Sequence, residues 1–90
     1  LRRALLKHSR FVSLVIQADN PSGNLHGKAV WEAAKMLPPN ILLAQIYREG
    51  QELIPGGSTV LREGDKVLIL GSEDAVEMII ASYLGEPAED

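Results

Sequence analysis

The 90-residue sequence predicts one small α+β domain built from a sheet and two helices. Two stretches place apolar residues at the spacing of a helix face, and the apolar stretches around them have the length of strands. Glycine, proline, asparagine and aspartate separate these stretches and mark the turns. The predicted order is strand, helix, strand, strand, strand, helix, with no internal repeat and no second domain.

The first strand is predicted at residues 11–18, with the sequence FVSLVIQA. Its apolar residues alternate, so one face would carry Val12, Leu14, Ile16 and Ala18. The polar stretch DNPSGN follows and has the composition of a loop.

The first helix is predicted after Gly27, because Val30, Ala33, Ala34 and Leu37 fall on one helical face. Pro38 and Pro39 would stop it, since proline cannot continue a helix. Trp31 lies about one helical step away from this apolar stripe. It would either flank the core or face a partner, and the sequence leaves both options open.

Three strands should follow. In the stretch ILLAQIYRE, Leu42, Ala44 and Ile46 would share one face. Both faces are apolar at its start, which predicts that both are covered. Gly50 would turn the chain into the short strand ELIP, which pairs back. The continuous apolar run Val67-Leu68-Ile69-Leu70 predicts a central strand.

The second helix has its own start and stop signals. Ser72 is a good N-cap, and the two acidic residues after it favour the positive end of the helix dipole. The apolar stripe is formed by Val76, Ile79, Ile80 and Tyr83. Gly85 and Pro87 should end the helix.

Composition excludes several classes of protein. The net charge of −3 argues against nucleic-acid binding, and the absence of cysteine excludes disulfides. No apolar stretch is long enough to span a membrane, and no signal peptide is visible. The chain does not begin with Met, so we expect a piece of a longer protein. Residues 1–10, which are basic, would form a connector, and residues 86–90 an acidic tail.

Each motif that could indicate catalysis lacks residues that the chemistry requires. The stretch SGNLHGKA resembles a phosphate-binding loop, but it is one residue too short between its glycines and lacks the hydroxyl after Lys28. Gly27 is instead expected to begin the helix in close packing. The serine in GGSTV has no base beside it, and His26 is isolated in a loop. No group of metal ligands converges. We therefore predict no enzyme, no catalytic residue and no metal site.

The glycines of the second half have a structural interpretation. Gly50, Pro55, Gly57 and Gly64 are typical of turns, and the glycines would permit a positive φ. Asp65 is expected to accept hydrogen bonds from nearby backbone amides in its turn. The stretch IPGGSTVLREGDKVLILG therefore marks the ends of strands.

The same region resembles the C-terminal regulator-of-K⁺-conductance domain, also called RCK_C or TrkA-C. The matching residues occur in order along the stretch IYREGQELIPGGSTVLREGDKVLILG: Ile46, Arg48, Gly50, Ile54, Pro55, Gly57, Thr59, Leu61, Gly64, Asp65 and Gly71. Leu25 and Gly27 match the segment that opens the first helix of the family. The resemblance covers about residues 11–84, and the domain is assigned to residues 11–85.

The resemblance implies a compact βαβββα domain with a small, mostly antiparallel sheet, which pairs with a second copy. Such domains are cytoplasmic parts of potassium channels and uptake systems, cation/proton antiporters and chloride channels. They are not enzymes. They sense a ligand and transmit its binding energy to the membrane region. The expected location is therefore the cytoplasmic side of the cell membrane.

The resemblance also implies a ligand site. Some members bind cyclic di-AMP between two protomers, through an Asn-Ile pair that begins the strand after the first helix. Asn40 and Ile41 occupy that place here, and a basic residue such as Lys35 would assist. Lys35 departs from the usual position of that residue. No other cofactor is expected.

Three hypotheses remain at this point. The first is the ligand-sensing dimer module of an ion transport protein. The second is a purely structural assembly domain without a ligand, and the third is a small enzyme.

Overall fold

The computed structural model describes residues 9–19 and 22–88. The strands are β1 (Ser9–Val15), β2 (Ile41–Arg48), β3 (Gln51–Leu53), β4 (Lys66–Ser72) and β5 (Glu86–Ala88). The helices are α1 (Val30–Met36) and α2 (Glu73–Tyr83), and a single 3₁₀ turn spans Gly23–Leu25. The predicted α+β class and the predicted order of the first six elements are confirmed.

The ends of the chain differ from the sequence-based prediction. Ser9 and Arg10 belong to β1 rather than to a connector, and residues 1–8 of the expected connector lie outside the described residues. Residues 86–88 form β5 and pair with β1, although we expected an acidic tail there. The composition Glu-Pro-Ala is unlike that of a strand, and only the neighbouring backbone of β1 makes it one.

The five strands form one antiparallel sheet in the order β3-β2-β4-β1-β5. β4 lies in the centre, as its apolar run predicts. α2 packs against β1 and β4, and α1 packs against β2, so both helices contact the sheet. The core between the helices and the sheet contains Val12, Leu14, Ile16, Leu25, Ala33, Leu37, Ile46, Leu61, Val67, Ile69, Val76 and Ile79.

The opposite face of the sheet shows where the prediction for β2 was wrong. The pairing of β2 with β4 shifts between Leu43 and Gln45, so Ala44 is an extra, bulged residue. The bulge reverses the alternation of side chains, and Leu42 and Ile46 lie on different faces. Ile46 is fully buried, whereas Leu42 remains 61% exposed. The expectation that both faces are covered at this point is therefore wrong for Leu42.

Helix α1 is short and touches the core with fewer residues than its stripe suggested. Ala33 and Leu37 are buried and Val30 packs against the core, but Ala34 is exposed. Trp31 is 53% exposed. The carboxylate of Glu32 accepts a hydrogen bond from the Ala29 amide at 3.1 Å and fixes the first turn.

Helix α2 begins and ends close to the predicted positions. The Ser72 hydroxyl accepts a hydrogen bond from the Ala75 amide at 3.2 Å, which confirms the N-cap. Leu84 takes the left-handed conformation that ends the helix, with φ 58°. Gly85 then passes so close to β1 that an added Cβ would lie 2.8 Å from Val12 Cγ2. Glycine is needed here for space, and it lets the chain turn into β5.

Candidate ligand-binding site and the turns that support it

A shallow depression of about 310 Å³ lies where β2 begins, beside the end of β4. Seven of the described residues line it: Ser9, Asn40, Ile41, Leu42, Leu70, Gly71 and Ser72. Two of the three residues predicted to bind a ligand, Asn40 and Ile41, are therefore in the same depression. Its lining combines aliphatic side chains with neutral polar groups, a chemistry that suits a planar ring with polar edges.

The backbone around Asn40 is held in a specific conformation. Asn40 has a φ of 65°, in the left-handed region that asparagine tolerates better than most residues. Its carbonyl oxygen accepts a hydrogen bond from the Ser72 amide at 3.2 Å. A Cβ on Gly71 would lie 3.0 Å from Ile41 Cγ2 and 3.4 Å from the Asn40 oxygen. Gly71 thus lets the start of β2 approach the end of β4 closely.

Lys35, the third predicted ligand residue, does not line the depression. Its ammonium group lies 5.0 Å from the centroid of the Trp31 ring, which is a cation–π distance. Both side chains are exposed on α1. A cation that sequence reasoning missed is Arg10, which pairs across the ladder with Gly71 in the lining. The Arg10 guanidinium lies 3.8 Å from the Glu73 carboxylate, and both side chains are well exposed.

The predicted turns form, but by different means. Glu49 and Gly50 both have positive φ and join β2 to β3, as a two-residue hairpin loop requires. Gly64 has a φ of 90°. Pro55 follows the end of β3 and is half-buried.

The expected positive φ at Gly57, and at its neighbour Gly56, is wrong. Thr59 closes that turn instead: its amide donates to the Gly56 oxygen at 3.1 Å, and its hydroxyl accepts from the Gly56 amide at 3.0 Å. Gly27 was expected in close packing. It has a φ of 80° and open space around it, so it serves the turn before α1.

Asp65 does more than close its own turn. Its carboxylate accepts a hydrogen bond from the Arg62 amide at 2.9 Å, as predicted. It also accepts two from Arg48, from Nε at 2.9 Å and from Nη2 at 2.7 Å. The same Arg48 Nη2 donates to the Val60 oxygen at 2.8 Å. This bidentate ion pair joins the end of β2 to the turn before β4.

The ion pair is almost shielded from water, since the side chains of Arg48 and Asp65 are 17% and 1% exposed. Burial alone would raise the pKa of the Asp65 carboxyl. The hydrogen bonds from Arg48 and from the Arg62 amide outweigh it, so the pKa of Asp65 lies below its ordinary value. No local pattern in the sequence indicates this pair, because the two residues are 17 positions apart and Arg48 looks like any solvated charge.

Two negative findings apply to the described residues, 9–19 and 22–88. None of their helices is both long and apolar enough to cross a membrane. No three of their histidine, aspartate or glutamate side chains are grouped closely enough to hold a metal ion.

Comparison with protein families identifies one match that covers most of the chain. The family model described as the TrkA-C domain matches residues 14–83. A Trk system potassium uptake protein TrkA homolog of Archaeoglobus fulgidus is 49% identical over 53 residues, which are 59% of this chain and 12% of that protein. An uncharacterised transporter of Bacteroides thetaiotaomicron is 30% identical over 74 residues, 82% of this chain and 13% of that protein. The matched segments are thus a small fraction of both relatives.

A solved structure has the same fold. It is described as an RCK domain with cda, and it superimposes with a TM-score of 0.61 at 21% identity. The match covers 82% of this chain and 97% of that one.

Proposed function

The chain belongs to the TrkA-C domain family, and from this premise we propose that it is a regulatory, ligand-sensing dimerisation domain of a membrane ion transport protein. The observation that carries the proposal is the family match over residues 14–83, together with relatives described as a potassium uptake protein and a transporter. The parent protein would be a potassium channel or uptake system, a cation/proton antiporter or a chloride channel. The domain would lie on the cytoplasmic side of the cell membrane.

Dimerisation is part of the proposal, because a change in the relative position of two protomers can convert ligand binding into a movement. Two protomers can take up more than one relative position. A ligand that bridges them shifts the equilibrium between these positions only to the extent that it binds one of them more tightly than the other. A site on a two-fold axis suits a ligand that is itself two-fold symmetric. The homodimer and the membrane transport region of the parent protein are therefore the proposed partners.

The proposed ligand is cyclic di-AMP, bound at the depression that contains Asn40 and Ile41. Its bases would pack on Ile41, and the amide of the Asn40 side chain would bond to base edges. Phosphate oxygens would accept hydrogen bonds from backbone amides or from Lys35. The RCK domain of the same fold was solved with cda, which supports a small-molecule ligand in this fold.

The alternative is an assembly domain that dimerises without a ligand. One observation favours it: among residues 9–19 and 22–88, no cationic side chain lines the depression itself. The phosphates would then depend on Lys35 or Arg10, neither of which lines the depression.

The test is a set of melting curves on the purified chain with cyclic di-AMP, ATP or NAD, with the mass measured by sedimentation velocity. A ligand at about 100 times its Kd should stabilise the fold by about 2.7 kcal/mol. Dimers with a selective shift for cyclic di-AMP support the full proposal. Dimers without any shift leave the assembly domain, and a monomer at all concentrations refutes both.

A further inference from the structure

Two segments of the chain lie side by side next to the start of α1. Residues 27–31 run antiparallel to residues 57–62, and four backbone hydrogen bonds of 2.8–3.0 Å join them. Arg48 ties the second segment to the end of β2, because its Nη2 donates to the Val60 oxygen at 2.8 Å. The outer side chains of both segments therefore belong to one connected surface.

This turn surface, defined as residues 27–36 and 54–62, exposes large apolar side chains. Ile54 is 90% exposed, the highest value among the large apolar side chains that the structure describes. It lies between the end of β3 and the second segment. Val60 and Trp31 are 46% and 53% exposed. Large apolar side chains grouped on an exposed surface mark a site of interaction.

The same surface carries positive charge. Its exposed cationic side chains are Lys28, Lys35 and Arg62. The Lys35 ammonium group lies 5.0 Å from the centroid of the Trp31 ring, so a cation and an aromatic ring occupy the same place. Tryptophan, with an apolar ring and a polar N–H, is typical of the boundary between a membrane and water.

The carboxylates are distributed differently. Within the turn surface the acidic residue is Glu32, and its carboxylate already accepts a hydrogen bond from the Ala29 amide. Glu63 borders the surface. On α2, by contrast, the exposed acidic side chains are Glu73, Asp74 and Glu77. The chain has a net charge of −3, yet the turn surface is positive, so an anionic surface would attract the molecule in one orientation.

We propose that the turn surface docks on an anionic lipid bilayer. Ile54 enters the boundary between headgroups and acyl chains, and Trp31 lies at the level of the headgroups. The cations donate hydrogen bonds to lipid phosphate oxygens. A bilayer fits this surface better than an acidic protein does, because lipids yield around a protruding side chain, whereas a protein would need a matching pocket for it.

This lipid contact goes beyond the proposed function. It requires neither cyclic di-AMP nor a second copy of the chain, and it rests on the proposed function only in that a membrane lies close to the domain. A domain that docks directly on lipid is held in one orientation relative to the transport region of its parent protein.

Fluorescence tests the contact, because the single tryptophan of the chain lies on the turn surface. The purified chain is titrated at low salt with vesicles of phosphatidylcholine and phosphatidylglycerol in equal parts, and with vesicles of phosphatidylcholine alone. The emission of Trp31 should shift to shorter wavelength on the anionic vesicles and be quenched by brominated acyl chains. Each cation near an anionic bilayer strengthens binding about fivefold, so the neutral vesicles should bind at least about tenfold more weakly.

Variants separate the turn surface from the rest of the molecule. Ile54→Ser should weaken binding to the anionic vesicles about tenfold, since no aliphatic side chain then leaves water. Its matched control is Met78→Ser on α2, where the side chain is 55% exposed and binding should not change. The double variant Lys28→Gln/Lys35→Gln should weaken binding about 25-fold, whereas Lys66→Gln on β4 should have little effect. All five side chains are exposed, so melting curves should show that each variant is folded.

Each outcome decides for or against the lipid contact. Binding that is selective for anionic vesicles, lost in Ile54→Ser and kept in Met78→Ser supports it. Equal losses in these two variants, or no binding to any vesicle, would overturn it. A shift of the Trp31 emission with polyglutamate but not with anionic vesicles would overturn it as well and assign the surface to an acidic protein. A chain that dimerises and binds cyclic di-AMP but no vesicle would contradict the lipid contact alone and leave the proposed function intact.

Discussion

Removal of the Asp65 carboxylate is the sharpest test of how the β2 end and the turn before β4 are held together. In Asp65→Ala, the guanidinium of Arg48 loses two hydrogen bonds, and the amide of Arg62 loses one. Arg48 keeps its bond to the Val60 oxygen. An almost buried cation would then remain without its counter-charge.

The expected loss of stability in Asp65→Ala follows from the burial of the ion pair. Removal of one partner of a buried ion pair costs about 3–5 kcal/mol. The Arg48 side chain is 17% exposed and can recover some hydration, so the lower end of this range, about 3 kcal/mol, is expected. For a domain of this size, that loss lowers the Tm by about 12–24 °C. It is a large part of the 5–15 kcal/mol typical of a whole domain.

The assay is urea unfolding followed by circular dichroism, at one fixed chain concentration because association changes apparent stability. Glu63→Ala is the matched control, since Glu63 lies in the same turn and is exposed. The double variant Arg48→Met/Asp65→Ala completes a double-mutant cycle with the single variants Arg48→Met and Asp65→Ala. It should lose less stability than the sum of the single variants, by about 0.5–3 kcal/mol.

Two results would refute this explanation. One is a loss below about 1 kcal/mol in Asp65→Ala, the value typical of exposed pairs. The other is strict additivity in the double variant, which would mean that the two side chains do not stabilise the fold together.

Two further predictions concern other parts of the structure, and a third concerns the pH dependence of the ion pair of Asp65. Gly85→Ala should destabilise the fold by about 1–3 kcal/mol in thermal unfolding, because its Cβ would meet Val12 at 2.8 Å. Gly57 has open space around it and no positive φ, so Gly57→Ala should leave the stability unchanged or raise it slightly. Equal losses of stability in Gly85→Ala and Gly57→Ala would contradict the steric explanation. Asn40→Gly keeps the left-handed backbone and removes only the side-chain amide. It should weaken the binding of cyclic di-AMP about tenfold, as measured by calorimetry. An unchanged affinity would show that Asn40 does not belong to the site. The folded-state pKa of Asp65 lies below its unfolded value of about 3.9, so its stabilisation should be present above pH 4 and be lost as the pH falls through the folded-state pKa. Asp65→Asn should show no such loss in a pH series of urea midpoints.

The elements that the sequence predicted well are those with strong local signals. The apolar run of β4 and the stripe of α2 behind the Ser72 cap need no distant contact to be recognised, and both formed as expected. The hairpin at Gly50 is equally local, since a two-residue loop requires positive φ.

The features that the sequence did not predict depend on contacts far along the chain. The bulge at Ala44 exists only in the pairing with β4, and it moved Leu42 to the exposed face. β5 becomes a strand only because β1 offers a free edge. The ion pair of Arg48 with Asp65 joins residues 17 positions apart. None of these features can be recognised from the spacing of apolar residues in its own segment.

The candidate site was predictable only in part, for the same reason. The resemblance placed Asn40 and Ile41 at the start of a strand, and both line the depression. The close approach that Gly71 permits, and the absence of Lys35 from this lining, depend on how α1 and β4 pack. Sequence spacing alone does not determine that packing.

The measurement that tests the central claim most directly is isothermal titration calorimetry of the chain with cyclic di-AMP, at a concentration where sedimentation gives a dimer. The proposed function predicts saturation at one ligand per two chains, with neither ATP nor NAD competing. Saturation at one ligand per chain would contradict a site shared across the axis. The absence of binding to an intact dimer would contradict ligand sensing by cyclic di-AMP and leave an assembly domain.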